Sequence, residues 1–203
     1  MIGAAMALRG VLESSDQPFE IHVIGTPSEE SLDGGKNEMA AHGGFDHIDV
    51  AFMVHGSTLT QLETPSLALI EMDVEFHGKT AHAGIAPYAG RSAVDAVTML
   101  QTGLGLMRNH LKDSSRVSNI VLAGGTAVNS VPDFAKVKVE IRHSSMAYLE
   151  SVEQWTREIA QAAAMATQTQ VQITPVAHIY NTTINDAMGA LLMAVSYTHL
   201  RAH

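Results

Sequence analysis

Ile70-Glu71-Met72-Asp73-Val74-Glu75-Phe76-His77 alternates apolar and polar side chains without a break. Period two returns side chains to the same face of an extended chain, so the stretch reads as a strand with one face in a core and one in water. The next segment has the other period. Over residues 91–111, Val94, Val97, Leu100, Leu104, Met107 and Leu111 recur at steps of three and four and line one stripe of a helix. Further strands are expected at 117–123 and at 134–142, the second setting Val137, Val139 and Ile141 against Lys138, Glu140 and Arg142. A second amphipathic helix is expected at 146–168 through Leu149, Val152, Ile159, Ala163 and Ala166, and a last strand through Val171, Ile173 and Val176. This order, β-α-β-β-α-β over 67–176, specifies two helices on one face of a four-stranded antiparallel sheet, the ferredoxin-like arrangement. The other sheet face is half polar, which allows pairing with a second subunit.

Upstream, Phe19, Ile21 and Val23 alternate with Glu20 and His22, and Gly25 and Pro27 end a strand expected at 18–24. A short helix is expected at 35–41, Gly43-Gly44 stops it, and 48–54 is an apolar run of the kind found in buried parallel strands. Met1 to Glu13 reads as an Ala-rich helix. A right-handed strand-helix-strand crossover places the ends of both strands at one sheet edge, where open α/β folds keep their ligands. Gly25-Thr26-Pro27-Ser28-Glu29-Glu30 and His55 are therefore expected at a common rim. Successive carboxylates point opposite ways on an extended chain, so one can reach a metal while its neighbour faces the water to be activated. The same dipeptide is also what a solvated turn contains, and spacing leaves both readings open. A helix resumes at 181–195, through Ile184, Met188, Leu191 and Leu192, outside the ferredoxin-like unit, which therefore looks inserted.

Composition narrows the classes. The 203 residues are 46% hydrophobic, enough to bury a core. A net charge of −9 without basic clusters argues against nucleic acid and anionic membranes as partners. The absence of cysteine excludes a disulfide framework and is compatible with a cytoplasmic location. No basic leader or 18-residue apolar run suggests a signal peptide or a membrane span. No Ser-His-Asp or Cys-His arrangement is apparent.

The ordered segments VIGTPSEE with DGGK, MVHG, VEFHGKTAHAGIAPYAGRSAVDA, and GGTAVNSVPD followed by VEIR resemble peptidase family M-twenty. These are metallo-amidohydrolases of the aminoacylase and carboxypeptidase G type, and the aminobenzoyl-glutamate hydrolase-like and dipeptidase-like members are the ones most resembled. The resemblance covers residues 1–195. It implies a partial zinc-peptidase-like parallel-sheet catalytic domain at 1–65, with 178–195 returning to it. It also implies an inserted ferredoxin-like lid and dimerisation domain at 66–177, and residues 196–203 read as an unrelated tail. The segments that in the family supply an N-terminal metal motif and a C-terminal histidine have no counterpart, so the chain is expected to be a fragment, inactive by itself.

The same resemblance implies Glu29 as general base, Glu30 and His55 as metal ligands, His82 as the lid residue that steadies the oxyanion, often across the dimer, and Asn129 and Arg142 on the substrate carboxylate. A lone loop histidine is otherwise solvated, and Arg142 is otherwise a charge at a strand end. The implied reaction is hydrolysis of an amide bond in an N-acyl amino acid or small dipeptide, with a divalent metal, zinc or else manganese or cobalt, in a cytoplasmic homodimer. The alternative is a non-catalytic dimerisation or amino-acid-binding module. His22, His42 and His47 read as surface residues.

Overall fold

The computed structural model describes residues 1–29, 34–58, 61 and 65–199, with side chains through residue 195. The elements are α1 (Ile2–Leu12), α2 (Gly35–Ala41), β1 (Ala68–His77), α3 (Ala93–Met107), β2 (Arg116–Ala123), β3 (Phe134–His143), α4 (Met146–Thr167), β4 (Gln170–Ile179) and α5 (Asp186–His199). They fall into two compact units, Met1–Leu62 and Glu63–His203.

The second unit is the ferredoxin-like fold. Its strands lie in the order β2-β3-β1-β4, every neighbour antiparallel. The inward positions of β1 and β3, among them Met72, Val74, Phe76, Val137, Val139 and Ile141, have no exposed surface. Leu100 and Leu104 of α3 and Leu149, Val152 and Ala160 of α4 cover them. Ser92 and Ser145 cap the two helices, accepting from the N–H groups of Asp95 and Tyr148. The helices approach closely because Gly103 has no side chain, and a Cβ there would stand 2.4 Å from Cγ2 of Ile159. Ser66 and Thr182 bracket the domain and exchange two hydrogen bonds, each backbone N–H donating to the other's hydroxyl at 2.8 and 2.9 Å. Entry and exit of the chain are thus fastened together.

The opposite sheet face carries charges that neutralise one another. Lys136 reaches Asp73 at 2.7 Å and Glu75 at 2.9 Å, and Lys138 reaches Glu71 at 2.6 Å. Glu71 is only 6% exposed, so its ammonium partner offsets the cost of burying a carboxylate. The hydrogen bond from Lys138 to Glu71 holds the ammonium above the ordinary lysine range despite desolvation, and Asp73 and then Glu75 do the same for Lys136.

The first unit departs from expectation. α1 and α2 form, but residues 18–24 and 48–54 pair in no ladder, and the expected parallel strands are absent among the described residues. The two segments do run close, since the rings of His22 and His47 meet edge-on at 4.8 Å between centroids. A parallel pair has slanted hydrogen bonds and needs both faces covered. Here Phe19, Val23, Ile24, Phe52, Met53 and Val54 are exposed and neither helix buries a residue, so no packing fixes the register. The helix expected at 181–195 begins at Asp186 and continues through 196–199, into the stretch read as an unrelated tail.

Because its folded-state pKa is raised, Lys138 contributes stability that is complete below the unfolded lysine pKa and is lost as pH rises through the folded value. Glu71→Gln is expected to lower the unfolding free energy of the second unit at neutral pH by about 1–3 kcal/mol. In urea titrations the gap between variant and wild type should narrow at strongly alkaline pH. A gap unchanged with pH contradicts the pairing.

Candidate functional site

The loop carrying His82 and the loop carrying Asn129 are laced together at the end of β1. Gly78 N–H donates to Asp133 C=O at 2.7 Å, and Lys79 and Arg91 exchange backbone hydrogen bonds at 2.8 Å. Val131 N–H donates to Ala81 C=O and Ala83 N–H to Asn129 C=O, both at 2.9 Å, so that His82 faces Ser130. The Arg91 guanidinium then ties the loop to the end of α4, donating to Gln168 Oε1 at 2.7 Å. Both His82 and Asn129 are exposed on this platform. On the ring, Nδ1 of His82 accepts from Gly84 N–H at 3.2 Å.

Arg142 is not with them. It sits near the far end of β3, opposite Leu69, whereas the His82 loop leaves β1 at His77, opposite Phe134. The strand between Phe134 and Arg142 spans about 26 Å. The Arg142 fork holds Glu140 by two hydrogen bonds, at 2.7 and 3.0 Å, which raises its pKa still further. Glu140 and Glu71 stand directly opposite each other, so Arg142 also relieves a like-charge pair.

In the first unit, Glu29 forms an ion pair with Lys36, Nζ to Oε1 at 2.9 Å. His55 Nδ1 donates to Gly56 C=O at 2.7 Å, which in the neutral ring leaves the lone pair on Nε2. That tautomer suits a metal ligand, because the carbonyl fixes one nitrogen and turns the other outward. Glu30, the other expected ligand, lies outside the described residues. Among those described, no three His, Asp or Glu side chains stand close enough to share a cation.

Lys36, Glu140 and Gly84 received no role from the sequence. Lys36 lies in α2 and Glu29 outside any helix or strand, so no helical or strand spacing announces their pairing. The His-x-Gly spacing of His82 and Gly84 is visible, but a backbone donor leaves no mark in the side-chain pattern.

The platform depends on Gly78, where a Cβ would stand 2.1 Å from the Arg91 carbonyl oxygen. Gly78→Ala is expected to break the Lys79–Arg91 bridge and to raise amide exchange of Lys79, Arg91 and Ala83 at least tenfold, while amides of β3 keep their protection. Unchanged exchange at those three amides contradicts the role given to Gly78.

Residues 68–168 match the family described as peptidase dimerisation domain. Over 181 residues the chain is 34% identical to the Xaa-Arg dipeptidase of Mus musculus, which covers 88% of this chain and 42% of that protein. It is also 34% identical to a p-aminobenzoyl-glutamate hydrolase polypeptide of Escherichia coli, over 83% of this chain and 35% of that one. The crystal structure of an aminobenzoyl-glutamate utilization protein from Klebsiella pneumoniae superposes with a TM-score of 0.67 at 28% identity, covering 79% of this chain and 42% of that chain. The chain thus spans less than half the length of these relatives. No helix among the described residues is long and apolar enough to cross a membrane. With its βαββαβ fold, the platform bearing His82, and these similarities, the chain belongs to peptidase family M-twenty.

Proposed function

We propose that the chain contributes the lid and part of the catalytic domain to a metal-dependent amidohydrolase that cleaves N-acyl amino acids or small dipeptides in the cytoplasm. The observation that carries this reading is the separation of the polar groups. His82 and Asn129 share one end of the lid sheet, and Arg142, the fork suited to a carboxylate, occupies the other. A small substrate cannot touch both ends within one copy.

A second copy resolves the problem. Both edge strands carry a register shift, at Val176 of β4 and at Leu122 of β2, but β4 also contains Pro175, which removes a main-chain donor and blunts pairing. β2 contains no proline and exposes Ile120, Val121 and Leu122. Antiparallel two-fold pairing through β2 turns one copy end over end, so the His82–Asn129 end of one protomer comes to the same rim as the Arg142 end of its partner. The two β3 strands are then three strand spacings apart, about 14 Å.

In the first unit, Glu30 and His55 would hold a divalent cation, zinc or else manganese or cobalt. Such a cation supplies Lewis acidity to the scissile carbonyl and to the attacking water. Glu29 takes a proton from that water as its oxygen bonds to the carbonyl carbon, and returns it to the amine as the C–N bond breaks. Lys36 holds the Glu29 carboxylate in place before substrate arrives. His82 donates to the carbonyl oxygen as it gains charge. The Asn129 amide and the Arg142 fork hold the substrate carboxylate, Arg142 exchanging Glu140 for it. The fastened ends at Ser66 and Thr182 suit a domain inserted at 66–177 into a catalytic domain formed by 1–65 and 178–195.

The first unit has no buried residue among those described, so we also expect the 203-residue chain by itself to bind metal weakly and to turn over nothing. Calorimetric titration with zinc should give weak binding that His55→Ala abolishes, with no hydrolysis of N-acetyl amino acids. No binding, or binding unaffected by His55→Ala, contradicts the ligand assignment. Zinc-dependent turnover lost in Glu29→Gln contradicts the expected inactivity.

A further inference from the structure

We infer that the backbone amide of Gly84 fixes the tautomer of His82, so that the ring works as a neutral Nε2–H donor. Gly84 is thereby a positioning residue. A backbone N–H has only a proton to give, and the structure aims that of Gly84 at Nδ1 from 3.2 Å. Nδ1 must then offer its lone pair, and in the neutral ring the proton resides on Nε2. The rest of the loop is arranged to keep this geometry. Ile85 and Ala86 N–H groups both donate to the His82 carbonyl, at 3.2 and 3.0 Å, winding the chain into a tight turn that returns Gly84 over the ring. On the other side, Ala83 N–H is bound to Asn129 and Ala81 C=O to Val131, so the residues flanking His82 are held from both strands of the platform. A side chain at 84 would not crowd the ring, since a Cβ there would lie 3.5 Å from Cε1, an ordinary contact. The amide, not the missing side chain, is what the position supplies.

His55 shows the opposite arrangement. There a carbonyl receives the Nδ1 proton and Nε2 is left with a lone pair. One backbone acceptor and one backbone donor thus give two histidines of one chain complementary Nε2 atoms, an electron-pair donor at His55 and a proton donor at His82. What the His82 proton is used for rests on the hydrolase reading proposed above. The tautomer itself does not, and the experiment separates the two.

The measurement is long-range proton–nitrogen correlation on the uniformly nitrogen-15-labelled chain with its histidines neutral, His82 being assigned by its loss in His82→Gln. A mobile neutral histidine exchanges between tautomers and gives averaged ring shifts. The wild-type His82 is expected to give Nδ1 at the fully unprotonated limit and Nε2 at the fully protonated one, together with a nitrogen–nitrogen coupling across the hydrogen bond from Gly84. Gly84→Pro, which removes the N–H, should move both ring shifts toward the averaged values, and Gly84→Ala should leave them in place. If Gly84→Pro fails to fold, the coupling in the wild type decides alone. Averaged shifts without coupling in the wild type, or a proton on Nδ1, overturn the inference and leave the hydrolase reading standing. Failure of the zinc titration would remove that reading and leave the tautomer in place.

Discussion

The ladder between β1 and β3 is the constraint on which the rest of this molecule depends. It runs unbroken from Ala68 opposite His143 to His77 opposite Phe134 and lies in the middle of the sheet. Its inward side chains are the core under both helices, and its outward side chains are the paired charges. Because the ladder is straight and long, it also acts as a ruler. Everything attached after His77 or before Phe134 is at one end, and Arg142 is fixed near the other. No side-chain rotation closes a gap of about 26 Å. The division of polar groups between two ends is therefore a property of the fold and not of local loop geometry.

The two faces of this ladder are held by different physics. The helical side is apolar and close-packed, with stability that scales with area removed from water. The other side is a lattice of carboxylates and ammonium groups in which each buried or half-buried charge has a partner within hydrogen-bonding range. Lys138 stands between Glu71 and Asp73, and Arg142 pairs with Glu140. Asp73 Oδ1 is buried without a hydrogen-bond partner among the described residues, with Lys138 Nζ 3.7 Å away, and the other charges named here are satisfied within one chain. The edge of the sheet is different, because the exposed Ile120, Val121 and Leu122 of β2 accompany main-chain groups with no strand beyond them among the described residues. The pairing proposed above places the second copy at this edge and not on the charged face.

Most of the second unit was legible in the sequence because its signals are local and strong. Strict alternation at 70–77 and 134–142 and the three-four stripe of α3 each report burial on one side, and the β-α-β-β-α-β order then leaves little topological freedom. The strands expected at 18–24 and 48–54 had equally good local patterns but formed no ladder, because a parallel pair takes its stability from neighbours on both faces and a local pattern cannot report those. At the site, residue types were readable and directions were not. Nothing in the sequence says that Nδ1 of His55 meets a carbonyl and Nδ1 of His82 an amide, or that Lys36 turns back onto Glu29. Arg142 was named for a carboxylate. In this structure the carboxylate it holds is Glu140, two residues away on the same face of its own strand.

The claim that two copies share the site through β2 can be tested by distance, and the absence of native cysteine makes spin labelling specific. Labels would be placed on Val128→Cys, in the Asn129 loop, and on Ser144→Cys, just beyond Arg142, both exposed positions. One variant would carry both labels, and a mixture would carry one on each copy. Pulsed electron–electron resonance should give a shorter distance between copies in the mixture than within one copy diluted into unlabelled protein. An inter-copy distance as long as the intra-copy one, or no inter-copy signal at concentrations where the chain is dimeric, contradicts the shared rim.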